Sequence, residues 1–224
     1  MSENNTAVVS KNYQNNFVPN CTKLNECQFW SKVGSCRHGN KCAKIHKRPT
    51  RSKTVVFWKI FNNPIRTYYG RGPLSKQADI INDSNDGFVT IKVDIDENYL
   101  KSETDRLYQD LFVELSLNFG EIDGILICGN FNPHIGGNVL VKFKDEKTAF
   151  RCYQSCNDRW YNGKPMFCDF SPVQYFEDAI CKGFSSHGRC ERGDKCNLIH
   201  PRRPNPELHR TLISSQRDYY KDKD

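Results

Sequence analysis

At 224 residues the chain has room for one ordinary domain with small modules beside it, and 37% hydrophobic residues are few for a single large core. The polar N-terminus lacks the apolar segment of a secretion signal and no run approaches a membrane span, so we expect neither secretion nor membrane insertion. The formal net charge is +7 in residues 1–52, −2 in residues 53–171 and +2 in residues 172–224. The basic N-terminal region indicates a polyanionic partner or, alternatively, a merely solvated basic face.

A set of three cysteines and one histidine occurs twice. Residues 27–46 and 181–200 both have the spacing Cys-x8-Cys-x5-Cys-x3-His. Three thiolates and one imidazole complete a tetrahedral zinc shell with no open position, which is typical of a structural site. So short a module cannot bury enough apolar surface to fold unaided, so metal binding would supply about 10 kcal/mol or more of folding energy. The predicted ligands of two structural zinc ions are Cys27, Cys36, Cys42, His46, Cys181, Cys190, Cys196 and His200.

The remaining cysteines argue against a disulfide framework. Six of the 11 cysteines belong to the two zinc sets, and an odd, unevenly placed remainder suits a reducing compartment. Cys21 precedes the first set, but the second set has no thiol at that offset, so we do not count it as a ligand. Residues 1–20 are polar and Asn-rich and are predicted to be flexible.

Two adjacent aromatic residues stand out in the first zinc module. Phe29 and Trp30 lie beside Lys32 and Arg37 in a segment too small to bury both rings. Exposed rings next to cations are what stacking on unpaired bases requires. We expect at least one of the two rings to pack over the metal site instead.

The central region shows strand and helix patterns in a familiar order. Between the first strand and the first helix, residues 62–98 are a turn-rich insertion in which 88–93 is either a short extra strand or an ordered piece of the insertion. The order β-α-β-β-α-β is that of the split ferredoxin-like fold, an α+β architecture shared by RNA-recognition motifs. The predicted strands are 54–61, 124–128, 138–143 and 164–170, and the predicted helices are 97–118 and 145–156.

The predicted third strand departs from a sheet that reads RNA. Such sheets stack bases on aromatic residues in the pattern [K/R]-G-[F/Y]-[G/A]-F-V-x-[F/Y]. This chain has GGNVLVKF at 136–143, with Asn138 and Leu140 at the stacking positions. Neither side chain has a π-face, so we expect the sheet not to read RNA directly.

The segment Arg159-Trp160-Tyr161 predicts a protein-binding socket after the second helix. An arginine and an aromatic residue flanking a tryptophan can hold a partner's aromatic anchor. Glu103, Asp110 and Glu114 on the first helix would attract basic residues around that anchor. The alternative is a tryptophan packed at a helix end beside a solvated acidic face.

These features resemble the family of the small subunit of the U2 auxiliary factor of the spliceosome, over residues 24–210. The segments NPHIGGNVLV, NDRWYNGK, FCDFSPV, AIC and CNLIHPRRPNP resemble more closely its related paralogue associated with minor introns. The resemblance implies a nuclear pre-mRNA splicing factor whose two CCCH zinc fingers read the AG of the 3′ splice site in single-stranded RNA. It also implies that the central domain is a U2AF homology motif, which binds a tryptophan-bearing peptide of a large subunit.

The resemblance also suggests which residues act. Ala43 stands where small subunits serving major introns carry a serine, so the preference for the base beside AG is open. Trp160 would insert into the partner as a reciprocal anchor. The expected RNA contacts are Phe29, Trp30, Lys32, Arg37, Lys41, Ala43, Ile45, Lys182, Phe184, Arg189, Arg192, Lys195 and Arg202. The expected partner contacts are Glu103, Asp110, Glu114, Arg159, Trp160 and Tyr161.

The chain is therefore predicted to divide into five parts. The last contains a short amphipathic helix, 206–220, with Leu208, Leu212 and Ile213 on one side, which should pack back on the central domain. The predicted parts are a flexible N-terminus (1–20), a first zinc finger (21–50), a degenerate RNA-recognition motif (51–175), a second zinc finger (176–204) and a C-terminal helix (205–224).

Two alternative functions fit the sequence less well. A CCCH regulator of mRNA decay or polyadenylation would also bind single-stranded RNA, but such proteins usually place their fingers close together in sequence. A metalloenzyme would need an open ligand position on zinc, which a full shell lacks. His38, His134 and His187 are not paired with a carboxylate or nucleophile in any recognisable spacing, so we predict no enzymatic activity.

Overall fold

The computed structural model describes residues 25–62, 79–81, 90–92 and 97–222. For 79–81, 90–92 and Asp194 it describes the backbone alone. The predictions for residues 1–20, for Cys21 and for most of the insertion lie outside the described residues. None of the described helices is long and apolar enough to cross a membrane.

Short strands and helices follow one another along the described chain. The strands are β1 (Thr54–Phe57), β2 (Asp79–Ile81), β3 (Thr90–Lys92), β4 (Ile122–Cys128), β5 (Val139–Phe143), β6 (Trp160–Tyr161), β7 (Lys164–Pro165), β8 (Cys168–Phe170) and β9 (Pro201–Arg202). The helices are α1 (Gln28–Val33), α2 (Glu97–Asn118), α3 (Glu146–Cys156), α4 (Phe176–Ala179), α5 (Lys182–His187) and α6 (Pro206–Lys221). The 3₁₀ turns are Gly39–Lys41 and Gly193–Lys195.

The main sheet has the strand order β8-β1-β5-β4-β9, with antiparallel neighbours throughout. Without the edge strand β9, this is the predicted β-α-β-β-α-β arrangement, with α2 and α3 as the connecting helices. The predicted α+β fold is confirmed. The strand β9 was not predicted: it follows the second zinc set and pairs with β4, Cys128 opposite Pro201. This pairing ties the chain after the second finger to the edge of the sheet.

The helix side of the sheet carries the main hydrophobic core. Alternation along β1 sends Val55 and Phe57 to this side, where they pack with residues of α2 and α3. Each fully buried large apolar side chain stabilises the fold by roughly 1.5–3 kcal/mol. Asp145 caps α3, because its carboxylate accepts a hydrogen bond from the Thr148 amide at 2.8 Å. The predicted apolar face of α2 is buried, namely Leu100, Leu107, Tyr108, Leu111, Phe112 and Leu115.

The C-terminal helix α6 packs against α2, as predicted. Leu212 and Ile213 pack on the helix-side core, while Leu208 is half-buried. The buried side chain of Gln216 accepts a hydrogen bond from the Ile122 amide and donates one to the Ile122 carbonyl, both at 2.9 Å. The Gln216 bonds fix the position of α6 relative to the first residue of β4.

Three predicted strands differ in the structure. The first ends at Phe57, and Lys59 then adopts a left-handed conformation with φ of 55°. The fourth, 164–170, divides into β7 and β8, because β7 turns back to pair with β6. The turn contains Asn162 and Gly163, both with positive φ, which is the two-residue hairpin signal that the sequence reading missed. In the insertion, β3 pairs with β2 in a separate ribbon.

The opposite face of the sheet is covered by both zinc fingers. Val56 and Leu140 point to this face and pack in a second hydrophobic cluster. Val33 of the first finger and Ile199 of the second belong to the same cluster and are buried. In an RNA-recognition motif this is the face that would read RNA. Here apolar contacts with the fingers occupy it, which supports the expectation that Leu140 does not read bases.

Candidate functional site

The two fingers have the same local structure. Each begins at a ligand cysteine, continues in a six-residue helix (α1 or α5) and ends that helix at a left-handed glycine, Gly34 or Gly188. A 3₁₀ turn follows before the third cysteine of each set. A parallel bridge then closes each finger, from Glu26 to Ile45 and from Ile180 to Ile199.

The predicted metal ligands converge in both fingers. In each set the four ligand atoms all lie within 4.8 Å of one another. The Sγ atoms of Cys36 and Cys42 are 3.8 Å apart, and those of Cys181 and Cys190 are 3.7 Å apart. A disulfide would need about 2.05 Å. Zinc–sulfur bonds of about 2.3 Å in a tetrahedron place sulfur atoms about 3.8 Å apart. The geometry therefore fits a four-coordinate metal ion.

The histidine of the first set also fits a metal ion. The Nε2 atom of His46 is buried and has no hydrogen-bond partner among the described residues. Burial, and then the charge of Arg48, lowers the pKa of His46, which favours the neutral imidazole that a metal requires. Cys27, Cys36, Cys42 and His46 could hold one ion and Cys181, Cys190, Cys196 and His200 another, and zinc suits this donor set.

An aromatic ring stacks on the ligand histidine in each finger. Trp30 lies parallel to His46 with centroids 4.6 Å apart, and Phe184 lies parallel to His200 at 4.3 Å. The Trp30 indole also donates to the Lys47 carbonyl at 2.9 Å. One face of Trp30 and one face of Phe184 are therefore covered by the ligand histidine of the same finger. By contrast, Phe29 is 42% exposed. The expectation that one ring of the Phe29–Trp30 pair packs over the metal site is confirmed for Trp30.

The fingers are in contact with each other. Arg37 of the first finger donates through Nε to Asn197 Oδ1 at 3.0 Å and through Nη2 to the Lys195 carbonyl at 2.8 Å. His134 Nε2 lies 3.2 Å from the same Asn197 oxygen. Because Arg37 can only donate, the oxygen of Asn197 must face it, so His134 carries its proton on Nε2. Arg37, predicted as an RNA contact, is thus also a bridge between the fingers.

The loop 129–137 holds both fingers on the domain. Asn130 donates to the Leu198 carbonyl and accepts from the His200 amide, and Asn132 donates to the Cys196 carbonyl at 2.9 Å. The Ser35 hydroxyl of the first finger donates to a carbonyl of the same loop, that of His134. These contacts give His134 a structural role.

A groove of about 230 Å³ lies between the two fingers. Its wall combines an exposed ring, that of Phe29, with three cations and few other polar groups. Among the side chains that the structure describes, no acidic one lines it. The lining residues are Gln28, Phe29, Lys32, Arg192, Lys195, Asn197 and Leu198. Four predicted RNA contacts, Phe29, Lys32, Arg192 and Lys195, therefore come together here.

The other predicted RNA contacts lie outside this groove. Ile45 is 46% exposed, although its counterpart Ile199 is buried against the sheet. Arg202 lies in β9, where its guanidinium pairs with Glu97 at 2.5 Å, so its charge is already partly neutralised. The exposed residues of this group are Arg37, Lys41, Ala43, Ile45, Lys182 and Arg189.

The predicted partner socket is a pocket of about 400 Å³ between α2 and the β6–β7 hairpin. Trp160 stands at its edge and is 69% exposed. Leu111 and Met166 contribute apolar surface that the sequence reading did not assign to the site. The sequence does indicate that Met166 lies near Trp160, because Met166 follows the Asn-Gly turn that brings the chain back toward Trp160.

Charges and hydrogen bonds order the rim of this socket. Arg159 pairs with Glu114 at 2.6 Å, and the Tyr161 hydroxyl donates to Asp110 at 2.8 Å. Burial, followed by this bond to Asp110, raises the pKa of Tyr161. Glu103 is the exception: it pairs with Arg106 on the same helix at 2.7 Å and does not line the pocket. Five of the six predicted partner contacts are therefore brought together.

Comparison with known proteins identifies the family. The chain is 32% identical over 193 residues to the splicing factor U2AF 23 kDa subunit of Schizosaccharomyces pombe, covering 86% of this chain and 78% of that protein. It is 34% identical over 186 residues to the splicing factor U2AF 26 kDa subunit of Bos taurus, covering 83% and 76%. No family model matches the chain.

Among solved structures, the chain is similar to the Rna15 RRM with bound RNA (GU), at 12% identity and a TM-score of 0.28, over 60% of this chain and 93% of that one. A likeness of this size carries no argument about function. The curated relatives, by contrast, are similar over most of both chains. The chain belongs to the U2AF small-subunit family of splicing factors.

Proposed function

We propose that this protein is the small subunit of a nuclear, heterodimeric pre-mRNA splicing factor. Its two fingers, each loaded with one structural zinc ion, hold single-stranded RNA and recognise the AG of the 3′ splice site. Its central domain is a U2AF homology motif that binds the large subunit. It has no catalytic role, because zinc held by three thiolates and an imidazole has no open position.

One observation carries the RNA-binding part of this proposal: the two fingers lie side by side and share a groove with an exposed ring and cations. Phe29 offers a stacking platform for an unpaired base. Lys32, Arg192 and Lys195 offer salt-dependent contacts to phosphate. A single short RNA segment can therefore contact both fingers at once.

The socket supports the partner-binding part. A pocket of about 400 Å³ has room for an aromatic side chain, and Leu111 and Met166 give it apolar walls. Asp110 and Glu114 at its rim suit a peptide with basic residues around its tryptophan. The exposed Trp160 is placed to pack on the same peptide as a second anchor.

Fluorescence anisotropy with the zinc-loaded full chain tests RNA recognition. Two labelled single-stranded RNAs are compared that differ only by A-to-C in the AG dinucleotide, at one salt concentration. We expect the AG RNA to bind at least about fivefold more tightly, since losing base-specific hydrogen bonds costs roughly 1–3 kcal/mol. Equal affinity for the two RNAs would refute recognition of AG.

Isothermal titration with a synthetic peptide tests the partner site. The peptide carries one tryptophan flanked by arginines, and its control has alanine in place of tryptophan. We expect only the tryptophan peptide to bind, and Glu114→Lys to abolish that binding while RNA affinity stays unchanged. If RNA binds but neither peptide does, the alternative of a CCCH regulator of mRNA decay or polyadenylation is favoured.

A further inference from the structure

A second cleft, of about 500 Å³, lies at one end of the main sheet. Thr54 of β1 and Lys142 of β5, which are paired neighbours, line it. By the alternation of strand residues they share a face with Val56 and Leu140, the residues that the fingers cover. The cleft is therefore the part of the sheet's RNA-recognition-motif face that the fingers leave open.

The wall of this cleft combines an exposed ring and four cations with two carboxylates, those of Asp123 and Glu146. Tyr175 is 63% exposed, and Lys142 Nζ lies 5.8 Å from the centre of its ring. Lys142 also pairs with Asp123 at 2.8 Å. Arg51 and Lys53 line the same cleft, and neither forms an ion pair with any residue that the structure describes. The Arg51 guanidinium packs over the ring of Phe150 at 5.4 Å, whereas Lys53 remains available beside the aromatic platform.

One side chain of the wall can hydrogen-bond to a ligand, whereas the Thr54 hydroxyl lies behind the wall. Thr54 is 1% exposed, and its Oγ1 atom has no hydrogen-bond partner within the described residues. Because that oxygen is not accessible, a ligand in the cleft cannot reach it. Gln174, also in the wall, offers an amide that can both donate and accept a hydrogen bond.

We propose that this cleft binds a nucleotide of single-stranded RNA that flanks the segment held between the fingers. The base stacks on Tyr175, Arg51 and Lys53 contact the phosphates, and Gln174 hydrogen-bonds to the base edge or ribose. This inference rests on the proposed function, because the same strand occupies both places.

Chain connectivity places the cleft beside the first finger. The cleft begins at Pro49, three residues after the ligand His46, so at most about 11 Å of extended chain separates them. Arg48 lies between and stacks over Trp30 at 5.9 Å, which extends the basic surface from the first finger toward Arg51. The polar wall distinguishes this cleft from the apolar partner socket and favours RNA over a tryptophan peptide.

Two labelled RNAs test the proposal with the zinc-loaded full chain. The short RNA spans only the AG segment held by the fingers, and the long RNA extends it by several uridines on each side. We expect Tyr175→Ala to weaken the long RNA about tenfold, which is typical for loss of one stacked base, and to leave the short RNA unchanged. Tyr175→Phe should retain the affinity for the long RNA, because the ring remains.

Further variants separate the possible outcomes. Tyr219→Ala, at an exposed tyrosine of α6, is the matched control and should change neither affinity. For the long RNA, the slope of log affinity against log salt concentration should be smaller in magnitude by about 1.4 in the double variant Arg51→Gln, Lys53→Gln, because two phosphate contacts are lost. If the wild-type chain binds both RNAs and Tyr175→Ala behaves like it, the cleft proposal alone fails. If the wild-type chain binds neither RNA, the proposed function fails with it.

Discussion

Arg37 of the first finger donates a hydrogen bond from Nε to Oδ1 of Asn197 in the second finger, at 3.0 Å. The two residues are 160 positions apart in the chain. His134, from the loop that holds both fingers, lies 3.2 Å from the same oxygen. Asn197 is therefore a junction between both fingers and the central domain, and the shape of the RNA groove depends on it.

The first prediction separates the two roles of Arg37, as a bridge between the fingers and as an RNA contact. Asn197→Ala removes one of the two hydrogen bonds of the bridge without removing a charge, and the bond from Arg37 to the Lys195 carbonyl stays. We expect RNA affinity to fall by roughly fivefold, which corresponds to the ~1 kcal/mol of one typical hydrogen bond. The salt dependence of binding should stay unchanged. If Asn197→Ala binds like the wild type while Arg37→Ala binds weakly, the hydrogen bond to Asn197 does not contribute to RNA binding.

The second prediction concerns the neighbouring rings Phe29 and Trp30. Phe29→Ala should lower RNA affinity about tenfold and leave zinc affinity unchanged, because this ring is exposed in the groove. Trp30→Ala should lower zinc affinity, because the indole stacks on the ligand His46. Competition with a zinc chelator measures the metal affinity. Equal effects of the two variants on zinc would contradict this assignment.

The third prediction concerns metal content. Cys42→Ser should reduce the zinc bound per chain from two ions to one, because the second set has its own four ligands. Cys128→Ser is the matched control, since Cys128 is buried in the sheet and belongs to neither set. Elemental analysis of the purified chains provides the count. Tryptophan-peptide binding should survive Cys42→Ser, because the socket lies beside α2 and not on the finger face.

The fourth prediction concerns pH. Burial has the largest effect on the pKa of His134 and lowers it, and the charges of Arg37, Lys59 and His38 also lower it. The hydrogen bond to Asn197 raises it. The resulting pKa is about 4. In the unfolded chain the imidazole of His134 has the ordinary pKa of about 6.5. The contribution of His134 to stability is therefore full above about pH 6.5 and is lost as the pH falls toward 4.

An NMR titration of the His134 ring checks this prediction. We expect no change in its chemical shift between pH 8 and pH 5.5. Arg37→Gln should move the midpoint upward, because it removes a nearby positive charge. A midpoint near 6.5 in the wild type would show that the imidazole is not held neutral by its surroundings.

The fifth prediction concerns the rim of the partner socket. Glu114→Gln breaks the pair with Arg159, whose side chains are each 42% exposed, so the free energy of unfolding should change by less than about 1 kcal/mol. Affinity for the tryptophan peptide should fall, because the rim loses a charge that attracts basic residues. Glu103→Gln breaks a comparable pair outside the pocket and should leave peptide affinity unchanged.

The sequence by itself determined the metal sets, the order of the central elements and the helix 97–118. These properties depend on short-range patterns: the spacing of ligands along a few turns and the period of apolar residues. The position of Trp160 near the acidic helix was also predictable, because the β-α-β-β-α-β order places the end of α3 beside α2. The Asn162-Gly163 turn was readable but was overlooked.

Only the tertiary structure decided how the fingers are used. Their nearly identical local structures dock differently, since Ile199 is buried on the sheet while the equivalent Ile45 is 46% exposed. The tertiary structure also places Trp30 at the metal site and Phe29 in the groove, and it brings Arg37 into contact with Asn197. These outcomes depend on packing between residues far apart in the chain, which neither spacing nor periodicity encodes.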